Sequence, residues 1–307
     1  MLSLTRSANA RQLCNIGTMF AMLCALCAMS TTSLAQSRDL VAEGTFTQGV
    51  EGPVADKAGN LYAVNFAEQG TIGRVDAQGN AELFVRLPEG SVGNGLRFNS
   101  RGQLLVADYT GHNILLIEMD TRTVSVLAHQ LQMHQPNDIA ISANDIVYAS
   151  DPDWANNSGQ LWMFSPSGEV TLIESGMGTT NGIEVSTDEQ YLYVNESVQR
   201  RIWRYRLDKT GVPSGKQLFY QFDDFGLDGM RCDSQGNLYV ARYGAGQIAV
   251  ISPQGEWVKT LTLKGQHPTN LAFGGEQGRT LYVTMQQRGA IEALEAEYPG
   301  RAFVLSQ

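Results

Sequence analysis

The chain has 307 residues, of which 43% are hydrophobic and 17% charged, and its formal net charge is −9. This length and apolar content are enough for one large domain or two ordinary ones, each with a substantial core. The acidic balance argues against nucleic acid and anionic membrane surfaces as partners.

The first 35 residues have the pattern of a secretory signal peptide. Arg6 and Arg11 form a positive n-region, residues 16–29 are an apolar run too short for a comfortable membrane span, and a small-x-small cleavage site ends at Ala35. We therefore predict an exported protein, periplasmic or secreted, with no membrane partner after cleavage. Losing two arginines and no acidic residue takes the net charge to −11, and Cys232 remains as the single cysteine, so we expect no internal disulfide.

Beyond the signal peptide, one unit repeats six times. Each unit has a polar or glycine-containing turn followed by a short strand of apolar, β-branched or aromatic residues. Equivalent strand positions recur at separations of 43, 43, 45, 46 and 43 residues, at Tyr62, Leu105, Tyr148, Tyr193, Tyr239 and Tyr282. A strand precedes each repeated strand and a second hairpin follows it, so each unit has four strands. Four strands per unit at this period are typical of a propeller blade.

We therefore predict an all-β fold, a single six-bladed β-propeller of four-stranded blades that occupies residues 36–307. No helical pattern of ten or more residues follows residue 36. For ring closure we expect an N-terminal strand at residues 40–46 beside a C-terminal strand at residues 302–305, which would pair the two ends and remove free edges.

A polar residue stands just ahead of the first strand in every unit, where an innermost strand would enter the central channel. These six residues are spaced by 43, 43, 44, 47 and 42 positions, and they are Glu51, Asn94, Asn137, Asn181, Asp228 and Asn270. Each of them alone reads as an ordinary turn residue. Because all six keep the blade period, we interpret them as one ring of side-chain oxygens around the channel axis.

Two carboxylates and four amides suit a single hard divalent cation. Ca²⁺ is the favoured ion because it accepts six to eight oxygens in loose geometry. Mg²⁺ and Mn²⁺ are alternatives, and Zn²⁺ is a weaker match because the ring contains no His or Cys. The two carboxylates belong to the first and fifth units, so we expect the cation to lie off-centre towards that side.

Short motifs surround these ring positions, and together they are similar to a known family. They are EGPV at residues 51–54, QPND at 135–138, TNGI at 180–183, LDGM at 227–230 and TNLAFGG at 269–275. Over about residues 40–307 the chain resembles the gluconolactonase / senescence-marker-protein (regucalcin-like) family of six-bladed propellers. Sugar-lactone members of that family often have an arginine two residues before the blade-three asparagine, and this chain has Gln135 there.

The resemblance implies a metal-dependent lactonase and assigns roles to the ring. Its metal ligands correspond to Glu51, Asn137, Asn181 and Asp228. Asp228 is the expected catalytic residue, either as the base that deprotonates water or as the nucleophile. The substrate would be a small lactone or related ester. We expect it to contact three amides, Asn94, Asn137 and Asn270.

Two other functions stay open from the sequence. One is a non-catalytic propeller that binds a ligand or protein and holds a structural Ca²⁺, since propellers carry many functions. The other is hydrolysis at phosphorus, as in a phosphotriesterase. Asp138 reads more readily as a turn cap than as a catalytic group. Tyr109, Asp151, Trp154, Tyr243 and Gln286 follow the second strands of their units, where they either pack or wall a substrate pocket.

Overall fold

A computed structural model describes residues 37–305, so the predicted signal peptide at residues 1–35 lies outside the described part of the chain. Within these residues the chain forms 24 strands and one short helix. The strands make six antiparallel four-stranded sheets, each of which is one blade. The all-β, six-bladed propeller predicted from the repeat is confirmed.

The first three blades are each built from four consecutive strands. Blade 1 contains β2 (Phe46–Ala55), β3 (Leu61–Phe66), β4 (Thr71–Val75) and β5 (Ala81–Arg86). Blade 2 contains β6 (Gly93–Phe98), β7 (Leu104–Asp108), β8 (Asn113–Ile117) and β9 (Val124–His129). Blade 3 contains β10 (Ile139–Ile141), β11 (Val147–Asp153), β12 (Ser158–Phe164) and β13 (Val170–Met177).

Blades 4 and 5 follow the same order, and blade 6 takes its fourth strand from the start of the described chain. Blade 4 contains β14 (Thr180–Val185), β15 (Tyr191–Glu196), β16 (Arg201–Leu207) and β17 (Pro213–Gln221). Blade 5 contains β18 (Met230–Cys232), β19 (Leu238–Arg242), β20 (Gln247–Ile251) and β21 (Trp257–Thr262). Blade 6 contains β22 (Pro268–Gly274), β23 (Thr280–Met285), β24 (Ala290–Glu295) and β1 (Arg38–Val41).

Ring closure uses the two ends of the propeller, but not the strands that we expected. The first strand, β1, pairs antiparallel with β24, with Arg38 opposite Ala293. Residues 302–305, predicted as the closing strand, lie instead in the helix α1 (Arg301–Leu305). The prediction was wrong because Arg301 is held by carboxylates at the far end of the channel, which removes this segment from the sheet edge. In the described part of the chain, no helix is long and apolar enough to span a membrane.

The core lies between the blades. Among the described residues, apolar side chains form six clusters, and each cluster joins two neighbouring blades. Second strands such as β7 and β19 are buried along their whole length because another blade covers each face. Outermost strands such as β9 and β21 are largely exposed. The stability of the ring therefore comes from apolar burial at each interface between blades.

The innermost strands of the six blades are β2, β6, β10, β14, β18 and β22. In blades 1 to 5 this is the first strand of the sheet in chain order, and in blade 6 it is the first of the three strands at the end of the chain, because β1 is the outermost strand there. We call the end of the channel where these strands begin the ring end, and the opposite end the far end. Because the sheets are antiparallel, each second strand finishes at the ring end. Gly93 at the start of β6 pairs with Asp108 at the end of β7, and Thr180 of β14 pairs with Glu196 of β15.

Candidate metal centre and active site

The structure places the six predicted ring residues on or just before the innermost strands, one in each blade. Five of them lie at the strand starts, and Glu51 lies in the middle of the longer strand β2. Four lie within the strands and two precede them: Glu51 in β2, Asn94 in β6, Asn181 in β14, Asn270 in β22, Asn137 two residues before β10 and Asp228 two residues before β18. All of them except Asn94 are buried. The common slot inferred from the spacing is therefore a common place in the fold.

The four innermost strands that contain a ring residue lose their regular pairing at that residue; they are β2, β6, β14 and β22. The register shifts between Gly93 and Leu96 in blade 2 and between Thr180 and Ile183 in blade 4, and blades 1 and 6 shift at the same point. An irregularity of this kind bends a strand and changes the direction of a side chain. At the ring residues the strands thus depart from the regular alternation of side chains between the two faces of the sheet. This departure allows polar side chains to lie in an otherwise apolar blade.

Glycines behind the ring allow neighbouring blades to approach closely. Gly52 has a φ of 56°, and a Cβ there would lie 1.9 Å from the backbone oxygen of Asn94. A Cβ on Gly229 would lie 2.0 Å from the Oδ1 of Asn270. Any side chain at these two positions would force adjacent blades apart, so the glycines are needed to close the ring.

Glu51 and Asp228 form a buried pair of carboxyl groups. They are 7% and 9% exposed, and their side chains share a hydrogen bond although blade 6 separates their blades. Burial, and then the charge of Asp138, raise the pKa of Glu51 to about 7. Burial, and then the neighbouring Glu51, raise the pKa of Asp228 well above its usual range. Two carboxyl groups in this position need a shared proton or a cation to offset their charge.

Two ring amides have an oxygen that finds no hydrogen-bond partner among the described residues. These are the Oδ1 atoms of Asn137 and Asn181, and both are buried. Asn181 also contacts Asp228 by a side-chain hydrogen bond. Buried polar atoms are rarely left unpaired, because the cost is about 1–3 kcal/mol for each. Unpaired oxygens beside paired carboxylates are the ligands that a hard cation prefers. The residues of the ring therefore fit a divalent cation.

The remaining ring amides are engaged with the protein. Asn270 is fully buried; its Nδ2 donates to Glu51 Oε2 at 2.8 Å, and its Oδ1 accepts from the amide of Leu271 at 2.9 Å. Asn94 is half-buried and donates to the backbone oxygen of Asn137 at 3.1 Å. This geometry favours a positioning role for Asn270, while Asn94 keeps an exposed part that a substrate can contact.

Beneath the ring, the channel holds a buried ionic network, which we call the channel network: Arg97, Asp138, Glu184, Arg231 and Arg301. Asp138 accepts from Arg97 at 3.3 Å and from Arg231 at 3.2 Å, using one oxygen for each. Glu184 lies 3.8 Å from Arg97 and 3.5 Å from Arg301. These five side chains are all nearly inaccessible. Asp138 therefore bridges two arginines with its single charge. This is a structural contact, although it differs from the turn cap that the sequence suggested.

Sequence reasoning missed the arginines and the glutamate of this network. Arg97, Glu184 and Arg231 each stand three residues after a ring position, at Asn94, Asn181 and Asp228 respectively. Charged residues within short apolar strands, repeated at one offset from the ring, were therefore a readable signal. Within the part of the chain that the structure describes, no three His, Cys, Asp or Glu side chains gather as a metal site. The candidate centre consequently depends on its amide oxygens.

The chain is similar to proteins of one known family over most of its length. Residues 50–287 match the family described as SMP-30/Gluconolactonase/LRE-like region. Gluconolactonase of Zymomonas mobilis is 29% identical over 272 residues, which cover 77% of this chain and 76% of that protein. Diisopropyl-fluorophosphatase of Loligo vulgaris is 25% identical over 286 residues, which cover 82% of this chain and 90% of that one.

A solved structure shares the fold. The crystal structure of a calcium-binding protein, regucalcin, from Agrobacterium tumefaciens superposes with a TM-score of 0.75 at 22% identity, covering 87% of this chain and 95% of that chain. The family match spans the five ring positions from Asn94 to Asn270 and also Glu51. The chain therefore belongs to the SMP-30/gluconolactonase/LRE-like family.

Proposed function

We propose that this protein is an exported, metal-dependent lactonase whose active site is the ring end of the channel. Membership of the family, together with a gluconolactonase among its relatives, supports a lactone hydrolase. The observation that carries the metal dependence is the pair of unpaired, buried amide oxygens on Asn137 and Asn181 beside the carboxyl groups of Glu51 and Asp228. We propose that these four residues hold one divalent cation, with Ca²⁺ favoured.

Such a cation, when bound, supplies Lewis-acid polarisation of a substrate carbonyl. The two carboxylates are positioned differently for the rest of the chemistry. Glu51 is fixed by Asn270 and by the amide of Gly52, both of which donate to its Oε2. The partners of the Asp228 carboxyl are the ring members Glu51 and Asn181. Asp228 is thus the carboxylate with greater freedom to exchange a proton.

We therefore assign Asp228 as the general base. The oxygen of water forms a bond to the lactone carbonyl carbon while Asp228 takes the proton of that water. The ring C–O bond then breaks, and the leaving alkoxide takes the proton from Asp228, which gives a hydroxy acid. We also assign Asn94 to orienting the substrate, and the support for this role is that it lies at the ring and remains partly accessible.

The first experiment removes the cation. Chelator-treated protein, with metal loss confirmed by elemental analysis, is assayed on γ- and δ-lactones by acid release and then titrated with Ca²⁺, Mg²⁺, Mn²⁺ and Zn²⁺. We expect hydrolysis to disappear and to return with Ca²⁺. Full hydrolysis by the metal-free protein would refute the metal dependence. Calcium binding without hydrolysis of any lactone would favour the non-catalytic binding protein.

A second candidate activity is hydrolysis at phosphorus. It is favoured by the similarity to diisopropyl-fluorophosphatase, which extends over 90% of that protein. A phosphofluoridate and a phosphotriester therefore belong in the same assay panel. A phosphorus substrate with a higher kcat/KM than any lactone would replace the lactonase proposal.

The proposal of export rests on the sequence of residues 1–35 alone. Its test is the mass of the mature protein recovered from fractionated producer cells. We expect a chain that starts at Gln36 in the exported fraction. Full-length protein in the cytoplasmic fraction would refute it.

A further inference from the structure

Two tyrosines occupy equivalent positions in opposite blades at the ring end. Tyr109 follows β7 in blade 2, four residues after Leu105, and Tyr243 follows β19 in blade 5, four residues after Tyr239. In a six-bladed ring, blades 2 and 5 face each other across the channel. The equivalent residues of the other blades are Phe66, Pro152, Ser197 and Gln286.

Each tyrosine is joined to the next blade around the ring. The indole of Trp154 in blade 3 makes a side-chain hydrogen bond to the Tyr109 hydroxyl. The Tyr243 hydroxyl donates to the Oε1 of Gln286 in blade 6. The ring of Tyr243 also meets the ring of His267 edge-on, with centroids 4.8 Å apart. Both tyrosines are half-buried, so each is fixed in place while part of it faces solvent.

Apolar surface continues around these two bridges. Trp154 is 37% exposed, and Phe225, whose ring lies against Gly244 beside Tyr243, is 51% exposed. Val198, just past the end of β15, is 52% exposed at the same end. These side chains add apolar surface at the ring end, beside the proposed polar site. Gln286, which accepts from Tyr243, is an uncharged amide.

Tyr243 also lies near the proposed base. After burial, the charge of Asp228 is the next cause that raises the pKa of the Tyr243 hydroxyl. The loop before Asp228 runs beside Tyr243, since the amide of Gly226 donates to the Tyr243 backbone oxygen at 3.1 Å. Tyr243 is therefore one of the side chains that a group extending from a substrate at Asp228 can reach.

We propose that Tyr109 and Tyr243 form a two-sided aromatic clamp that selects lactones with an apolar or aromatic substituent over polyhydroxylated sugar lactones. This inference rests on the proposed lactonase function and defines its substrate class. The hydroxyls of the two tyrosines are already hydrogen-bonded within the protein, so their rings contribute mainly apolar and stacking contact.

The test compares three δ-lactones with one ring size: δ-valerolactone, its 5-phenyl derivative and glucono-δ-lactone. We expect kcat/KM for the phenyl derivative to exceed that for δ-valerolactone by about tenfold, the scale of one or two aromatic contacts. Tyr109→Ala and Tyr243→Ala should each reduce this preference, and the double variant should abolish it. Tyr→Phe variants should retain it, because the ring rather than the hydroxyl carries the selection.

Tyr191→Ala is the matched control, since Tyr191 is also half-buried but begins β15 at the far end of the channel. If the alanine variants unfold, Tyr109→Leu and Tyr243→Leu replace them, because leucine removes the aromatic ring but keeps apolar volume. A preference for glucono-δ-lactone, or a phenyl preference that survives the folded double variant, would overturn the clamp.

A binding measurement separates the clamp from the chemistry. The lactam analogues, piperidin-2-one and its 6-phenyl derivative, resist hydrolysis and can be titrated calorimetrically into wild type and the double variant. Tighter binding of the phenyl lactam that is lost in the double variant supports the clamp even if no lactone is hydrolysed, an outcome that would refute only the proposed function. Equal binding of both lactams to wild type would overturn the clamp whatever the enzyme hydrolyses.

Discussion

Asn270 donates a 2.8 Å hydrogen bond from its Nδ2 to the Oε2 of Glu51, across the interface between the last blade and the first. The two residues are 219 positions apart in the chain, and both are buried. The same hydrogen bond therefore joins the last blade to the first and positions a proposed metal ligand. An exposed hydrogen bond would add little, but a buried one to a carboxylate fixes the position of the group and favours its charged form, here against the burial that raises the pKa of Glu51.

We predict that Asn270→Ala weakens the cation site without preventing folding. Loss of a residue that orients a metal ligand typically costs about 10- to 100-fold in affinity. Calcium affinity, measured by calorimetry on the chelator-treated protein, should fall within that range. Asn237→Ala is the control, because Asn237 makes a similar 2.8 Å amide-to-carboxylate bond to Asp233 at the far end. Unchanged affinity in a folded Asn270→Ala variant would contradict the positioning role.

Asp228→Asn tests the proposed base. The amide keeps the shape of the side chain but takes no proton, so kcat should fall by about 10²- to 10⁴-fold when lactone and cation are both saturating. Cation affinity, measured separately, distinguishes loss of a ligand from loss of a base. Asp208→Asn, at an exposed turn, should leave kcat unchanged. Full activity in a metal-loaded Asp228→Asn variant would remove Asp228 from the mechanism.

A covalent role for Asp228 predicts a different isotope pattern. In a single turnover in ¹⁸O-water, a general base sends the label directly to the hydroxy acid. A nucleophilic Asp228 would form a mixed anhydride as the ring C–O bond breaks, and water attack on its Asp228 carbonyl would leave the label in the Asp228 carboxyl group, which mass spectrometry of the digested protein detects. We expect unlabelled Asp228, and label at that residue would establish the nucleophilic pathway.

The repeat in the sequence was sufficient to predict the blades and the ring positions, because both depend on a period that every unit shares. Ring closure was different, since residues 302–305 are apolar enough to read as a strand. Their fate depends on Arg301, which finds Glu184 and Glu189 only once blade 4 is folded. Local sequence carries no sign of a partner more than 100 residues away.

The channel network shows the same limit. Arg97 and Arg231 stand in strands where a charge is usually interpreted as solvent-facing, and only the assembled ring shows that they share Asp138. Tyr148 and Tyr239, in contrast, were predicted as strand residues from the repeat, and both lie buried in strands. Structure that follows from a pattern along the chain is predictable, whereas pairing across the channel needs the fold.

We predict that the metal-free protein becomes less stable as the pH rises from about 4.5 to 7. Burial and the charge of Asp138 raise the pKa of Glu51 from 4.5 to about 7, and the pKa of Asp228 is also raised. A raised carboxyl pKa means that the folded state holds its proton more tightly than the unfolded state. Its contribution to stability is full below the unfolded pKa and is lost as the pH passes the folded one.

Bound cation should remove this loss, because it replaces the proton as the counter-charge. Urea unfolding at pH 5 and pH 7.5, each with chelator and with Ca²⁺, measures the effect. Stabilisation by Ca²⁺ should be larger at pH 7.5, and calcium binding near pH 6.5 should release protons. The Glu51→Gln/Asp228→Asn double variant should show neither effect. Equal stabilisation at both pH values would show that these carboxyl groups do not compete with the cation for protons.

The pair of Asp138 and Arg231 allows a test of whether the channel network acts as a unit. Removing one partner of a buried ion pair typically costs about 3–5 kcal/mol of unfolding free energy. Asp138→Asn should cost about that much, because Arg97 and Arg231 both lose their shared carboxylate. Arg231→Met should cost less, because Arg97 still pairs with Asp138. The double variant should cost clearly less than the sum of the two single changes, because it removes a positive and a negative charge together. Arg206→Met, at an exposed position, should change stability by less than about 0.5 kcal/mol. Strict additivity of the two single changes in urea unfolding would mean that Asp138 and Arg231 are not energetically coupled, despite their 3.2 Å contact.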